Sequence, residues 1–315
     1  VWTGDVAVST IKHYEGEQPL FLKISFARPH SPYDPPQRIL EMYENIEIPA
    51  PAEGEWSKHI GKDITDPKAD SSAAFAQFST EYVKNTRKHY YAAVTFIDEQ
   101  VGRIVKALKE KGMYDNTIIC FTSDHGDMMG DHHSWRKTYA YEGSAAIPMI
   151  IKTPKDVEGV HCRGKVIENP VELRDILPTF LDAAGGETPE AMDGRSMLKL
   201  IKEENPQWRR WIDMEHATCY SEENYWCALT DGKIKYIWFL RTGEEQLFDL
   251  VKDPHETVNQ ITNRKYRKQT DELRRAMAEH LSERGDKWVK DGQLQKREKT
   301  LLYSPNYPSG LSTKK

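Results

Sequence analysis

A chain of 315 residues, 38% apolar and 30% charged, has the composition of a water-soluble globular protein with room for a large core in one or two domains. Its net charge of −5 comes from both signs mixed throughout, so no basic surface points to nucleic acid. No apolar run approaches the roughly 18 residues that cross a bilayer.

The opening residues, VWTGDVAVSTIKHYEG, lack the apolar core of a signal peptide. They begin without Met in what reads as mid-domain, so the chain is expected to be a fragment or the carboxyl-side portion of a longer one. Residues 19–27, PLFLKISFA, form a β-rich run expected as an inner strand ending at Arg28-Pro29-His30-Ser31-Pro32. Prolines on both sides restrict the backbone around His30 and suit a rigidly presented side chain; a loop histidine without a task is the plainer alternative. Residues 41–79 read as a long surface excursion. In it, Trp56 and His59 are candidates to line a sugar site, with simple packing as the alternative.

From Ser79 to Lys111 the period becomes helical, with Tyr90, Val94, Ile97, Val101, Ile104, Val105 and Leu108 as one stripe. Ser79 or Thr80 caps the start and Gly112 supplies the stop. Residues 118–121 then read as a buried parallel strand, forming a βαβ unit with the strand at 19–27. Asp124 and His125 stand where that strand ends, followed by Gly126, which permits a sharp turn. Ligands in open α/β sheets bind beyond the carboxyl ends of strands, so this carboxylate and imidazole are candidate ligands for a divalent cation. A turn with a helix cap is the competing explanation. A second apolar run, residues 147–151, follows.

Further on, Asp175 is expected to cap a helix with Pro178 in its first turn and Gly185 as terminator. Residues 225–230, 233–240 and 246–250 read as short strands, the first two joined by the hairpin dipeptide Asp231-Gly232. A helix over 263–284 ends at Gly285, and the Arg284-Gly285-Asp286 tripeptide reads as that cap. These elements suggest a large α/β portion over 1–207, a small α+β subdomain over 208–290 and a tail over 291–315. The four cysteines, Cys120, Cys162, Cys219 and Cys227, form no CxxC pair; Cys219 and Cys227 alone are close enough in sequence to pair across a short loop.

The run Ser123-Asp-His-Gly-Asp127, Gly130, Trp135-x-Lys137, Glu142-Gly-Ser144 and Ile147-Pro-Met-Ile-Ile151 resembles the second signature block of the sulfatases, formylglycine-dependent members of the alkaline phosphatase superfamily. The segment around His30, the Asp175-x-x-Pro-Thr helix, the stretch 192–197 and Gln246-Leu-Phe-Asp-Leu-x-x-Asp-Pro-x-Glu-x-x-Asn259 resemble the same family. The resemblance implies an α/β fold with a mixed, mostly parallel sheet sandwiched by helices, plus a small carboxyl-terminal antiparallel sheet with a helix. It implies a metal, usually calcium, on Asp124 and His125, and sulfate contacts from Lys137 and His30. His133 and Arg136, the polar groups nearest Lys137 in sequence, are the first candidates for substrate binding; Asp127, His132, Trp135 and Glu142 have weaker claims.

This chemistry suits sulfate-ester hydrolysis, where a cation and a lysine neutralise the sulfate oxygens and a histidine protonates the leaving alcohol. The family's Cys-x-Pro-x-Arg motif, or its serine version, is absent from these residues, as are its early Asp-Asp pair and its second Lys/His pair. The formylglycine is therefore expected in a preceding segment. A carbohydrate sulfate is the expected substrate and the periplasm or the exterior the expected location. The absence of any Asn-x-Ser/Thr sequon argues against a glycosylated lysosomal enzyme. The alternatives are a phosphodiesterase or phosphonate monoester hydrolase of the same superfamily, and an inactive sulfate- or glycan-binding protein.

Overall fold

The computed structural model describes residues 1–298 except 69, 71, 72, 158, 161, 218 and 220. Three helices come first: α1 (Trp2–Lys12), the single-turn α2 (Gln37–Leu40) and the long α3 (Thr80–Glu110). Ser79 Oγ accepts the Tyr82 N–H at 3.3 Å, satisfying one orphan donor of the first turn of α3, and Gly112 follows its end at φ 71°. The buried stripe is rotated slightly from the expected one. Ile97, Ile104 and Leu108 are buried, but Val94 is 44% exposed, and Val83, Ala93, Gln100 and Ala107 complete the face. Part of that face is claimed by α1, whose Ala7 and Ile11, one turn apart, pack on Ile104, Ala107 and Leu108.

The expected strand at 19–27 does not form a ladder: among the described residues no segment pairs with it. A β-rich run becomes a strand only when a neighbour takes its N–H and C=O groups. Its side chains are used nonetheless, with Ile24 and Phe26 packed on the α1–α3 core and Phe21 edge-on to Phe180 at 5.7 Å. Strand β1 (Ile119–Thr122) forms as expected but pairs antiparallel with β2 (Met149–Lys152), Ile119 opposite Lys152 and Thr122 opposite Met149. The chain leaves β1 through the long polar loop, makes the short helix α4 (Glu142–Ala145) and doubles back as β2. The parallel βαβ unit is thus not built among the described residues.

Helices α5 (Ile176–Ala183) and α6 (Leu198–Lys202) follow. Asp175 precedes α5 but its side chain does not cap it. The fully buried carboxylate accepts the Glu172 N–H at 3.0 Å, the Arg195 N–H at 2.8 Å and both terminal nitrogens of Arg209 at 2.6 Å. The carboxyl-terminal region is a four-stranded antiparallel sheet in the order β3 (Ile212–His216), β4 (Trp226–Thr230), β5 (Ile234–Phe239), β6 (Glu245–Asp249). Gly232 at φ 82° makes the β4–β5 hairpin, while β3 is additional to the expected strands.

Helix α7 (Arg267–Ser282) lays Leu273, Met277 and Leu281 on one face of this sheet. The other face, through Trp226, Ala228, Ile237 and Phe248, packs on Met128, Tyr139, Ala140 and Tyr141 of the polar loop. The hairpin of β7 (Val289–Lys290) and β8 (Gln293–Leu294) carries the first part of the expected tail back to the sheet, where the Arg297 N–H donates to the Leu240 carbonyl at 2.7 Å. The remainder of that tail, 299–315, lies outside the described residues. All four cysteines are free, so Cys219 and Cys227 are not bonded.

Candidate active site

The loop between β1 and β2 is held by backbone contacts that leave its charged side chains available. Gly126 donates its N–H to the Ser144 carbonyl at 2.9 Å, and a Cβ there would lie 2.2 Å from the Gly143 carbonyl oxygen. Glycine is needed at this position for close approach of two backbones. Asp127 is the internal brace: its carboxylate accepts the Met129 N–H at 3.1 Å, the Arg136 N–H at 2.9 Å and the Tyr33 hydroxyl at 2.8 Å. Met129, His132, His133, Arg136 and Thr138 all have φ between 50° and 87°, a concentration of left-handed non-glycine residues that only a tightly determined loop maintains.

Four of the candidate side chains converge at one edge of this loop. The His30 Nδ1 lies 2.8 Å from the Ser31 carbonyl, which can only accept, so Nδ1 carries the proton and Nε2 presents a lone pair. Lys137 Nζ donates to that lone pair at 2.7 Å. The ring of His125 meets the ring of His30 edge-on, with centroids 5.9 Å apart. His125 repeats the tautomer logic: its Nδ1 donates to the Gly126 carbonyl at 2.7 Å, leaving Nε2 3.6 Å from Asp124 Oδ2. Asp124 is 84% exposed at its side chain and Lys137 is half-buried, so the cluster opens to solvent.

The other candidates separate. Arg136 lines a cavity of about 520 Å³ next to this cluster, and His133 faces Glu53 with 4.0 Å between Nε2 and Oε2. His132 and Trp135 are buried in packing, and Glu142 joins a buried ion cluster. Trp56 is a structural residue: its ring packs on His132, Tyr141 and Phe248 at centroid distances of 4.6, 4.9 and 5.7 Å, and its Nε1 donates to the Glu256 carbonyl at 2.8 Å. His59 is exposed and lines neither this cavity nor the cluster.

Sequence reasoning missed the supports of the loop. Arg87 on α3, 6% exposed, donates to the Met129 carbonyl at 2.9 Å and the Ala50 carbonyl at 3.2 Å, and pairs with Asp131. A charged residue falling on the buried stripe of a helix was the available signal. Lys235, with no exposed surface, reaches Glu142 Oε1 at 2.6 Å and Glu256 Oε1 at 2.8 Å, while Glu256 Oε2 accepts the Glu142 N–H at 2.6 Å. Burial pushes the Glu256 carboxyl above the usual carboxylate range, and the Lys235 ammonium pulls against that shift.

The Sulfatase family profile matches residues 4–186, and the profile of the N-sulphoglucosamine sulphohydrolase carboxyl-terminal region matches residues 130–283. An arylsulfatase of Clostridium perfringens is 38% identical over 301 residues, covering 94% of this chain and 60% of that protein. The chain belongs to the sulfatase family. An N-acetylglucosamine-6-O-sulfatase of Bacteroides thetaiotaomicron is 28% identical over 276 residues, 85% of this chain and 47% of that one. The phosphonate monoester hydrolase of Silicibacter pomeroyi superposes with a TM-score of 0.73 at 27% identity, over 90% of this chain and 60% of that one. The fold is therefore the alkaline phosphatase-like α/β architecture, and this sulfatase chain spans roughly half to three-fifths the length of these curated relatives.

The donors in this sulfatase chain suit part of a metal shell. His125 is fixed in the tautomer that frees Nε2, the usual outer-shell arrangement for a metal-binding imidazole, and Asp124 Oδ2 stands beside it. Among the described residues no group of three or more His, Cys, Asp or Glu side chains converges as a metal site. For a formylglycine the residues do not fit. None of Cys120, Cys162, Cys219 and Cys227 begins a Cys-x-Pro-x-Arg sequence, Cys120 lies within β1 and Cys227 is buried.

Proposed function

We propose that this chain carries part of the active site of an enzyme that hydrolyses a sulfate ester on a carbohydrate. The observation that carries the reading is the Lys137 Nζ to His30 Nε2 contact of 2.7 Å beside the Asp124–His125 pair. It is a cluster of one ammonium and two imidazoles with fixed tautomers, open to solvent at its carboxylate end. Lys137 is the fixed positive charge for the sulfate oxygens, where preorganised donors are worth most in the transition state. His30 orients that ammonium in the free site; its Nε2, once protonated, is the general acid for the departing alcohol.

Asp124 and His125 would hold a divalent cation, calcium by family resemblance, which when bound supplies Lewis-acid polarisation of the sulfate. The formylglycine nucleophile of the family is assigned outside residues 1–315. The carbohydrate class is supported by the Bacteroides thetaiotaomicron N-acetylglucosamine-6-O-sulfatase likeness, and a periplasmic or secreted location rests on family resemblance alone. No helix among the described residues is long and apolar enough to cross a membrane.

The likeness to a phosphonate monoester hydrolase supports a second reading, hydrolysis of phosphate diesters or phosphonate monoesters at the same cluster. Side-by-side kcat/KM values of the full protein on a sulfated sugar, a phosphate diester and a phosphonate monoester decide between them. A preference for the sulfate supports the first reading, and a preference for either phosphorus ester replaces it.

A further inference from the structure

The cavity of about 520 Å³ beside the cluster lies between residues 31–33, the first half of α3 and residues 135–136, with Tyr33, Tyr82, His89 and Arg136 in its lining. No Asp or Glu is among its described lining residues. The Arg136 guanidinium has no hydrogen-bond or ion-pair partner among the described residues, whereas Arg28, Arg87, Arg174 and Arg209 each hold a carboxylate. Its backbone, by contrast, is held on both sides. The Arg136 N–H donates to Asp127 Oδ1 at 2.9 Å and its carbonyl accepts the Met128 N–H at 2.7 Å, with φ at 69°.

An arginine in a strained, well-anchored backbone position with an unused planar fork is suited to receive a carboxylate or sulfate by paired hydrogen bonds. His89 adds a second polar group: its Nδ1 is spent on the Asn85 carbonyl at 2.8 Å, leaving Nε2 for a ligand. The cavity also adjoins the cluster through the chain itself, since Ser31 follows His30 and Arg136 precedes Lys137, and both Ser31 and Arg136 line it.

We propose that this cavity receives a second anionic substituent of the substrate, a sulfate or a carboxylate, on Arg136, while the ester to be cleaved lies at Lys137 and His30. The inference rests on the sulfate-ester reading and narrows it to polyanionic sugars, whose apolar ring faces suit the Tyr33 and Tyr82 walls.

The test uses the full protein and its Arg136→Gln and Arg136→Gly variants with three sugars: one monosulfated, one disulfated, and one bearing a sulfate and a carboxylate. Calorimetric Kd and, separately, kcat/KM are measured for each. The wild type is expected to prefer a dianionic sugar, and both variants to lower that preference by about 10–100-fold, mainly through Kd and KM. Arg136→Gly accepts the positive φ without strain, so a loss common to both variants reports the guanidinium rather than a damaged loop. The dianionic sugar with the larger loss identifies the second anion as sulfate or carboxylate. A wild type without the preference, a preference unchanged in both variants, or equal losses on all three sugars overturns the proposal. Because the Kd ratio needs no turnover, dianion preference in a protein that hydrolyses no sulfate ester supports this inference while removing the function reading.

Discussion

At the scale of single residues, the cluster makes separable claims about Lys137, His30 and Asp124. Lys137→Ala removes the charge proposed to face the developing oxyanions and is expected to lower kcat on a sulfated sugar by about 10²–10³. His30→Ala removes the proposed general acid, with an expected loss of about 10²–10⁴. Steady-state kinetics of the full protein checks both, and near-normal turnover in either variant makes that residue scaffold. Asp124→Ala is expected to reduce bound divalent metal and activity together, because His125 Nε2 alone is a single neutral donor. Elemental analysis of the purified variant tests this, and unchanged metal content would sink the assignment. These positions were legible in the sequence because a contiguous motif carries Asp124, His125 and Lys137. The role of Asp127 was not legible, since its three hydrogen bonds include one from Tyr33, which lies 94 positions away.

At the scale of elements, helix α3 does more than cover a core. It delivers Arg87 beneath the loop, where one guanidinium satisfies the Met129 and Ala50 carbonyls and pairs with Asp131. Removing Arg87 leaves Asp131, 25% exposed at its side chain, without its cation, so Arg87→Ala is expected to destabilise by about 3 kcal/mol, the low end for a buried pair. Equilibrium denaturation reads that cost, and a shift below about 1 kcal/mol would mean that solvent reaches Asp131 freely. Ser79 and Gly112 marked the ends of α3 in the sequence because caps act within one turn of the backbone. Its exposed and buried faces were less legible. Val94 lies outside because α1 and the loop contact a face rotated toward Ala93, Gln100 and Ala107.

At the scale of the whole molecule, the small antiparallel sheet and the active-site loop form one packed body. Lys235 of β5 clamps Glu142 and Glu256, and Tyr141 donates its hydroxyl to Gln246 Oε1 at 2.9 Å. Lys235→Met leaves the buried Glu256 carboxylate without its cation, beside a Glu142 that is 36% exposed, and is expected to cost about 3–5 kcal/mol in stability. Adding Glu142→Gln and Glu256→Gln to that variant is expected to recover part of the loss. Denaturation midpoints of the single and triple variants test the cluster, and equal midpoints would show that the charges do not act as a unit.

What the sequence determined by itself were the features whose causes lie within a few residues. These are the capped helix α3, the Asp231-Gly232 hairpin and the polar motif after β1, while α7 stops at Ser282, three residues short of Gly285. Turn chemistry and periodicity act over such windows, so they survive being read without a fold. Tertiary structure alone decided the antiparallel pairing of β1 with β2, the packing role of Trp56, and the buried exchange of Asp175 with Arg209. It also decided the direct contact of Lys137 Nζ with His30 Nε2 across 107 positions, between two residues that family resemblance alone had assigned to one sulfate. A strand takes whichever neighbour offers its backbone a ladder, and a polar side chain buried far from its sequence neighbours takes whichever partner can replace its lost water.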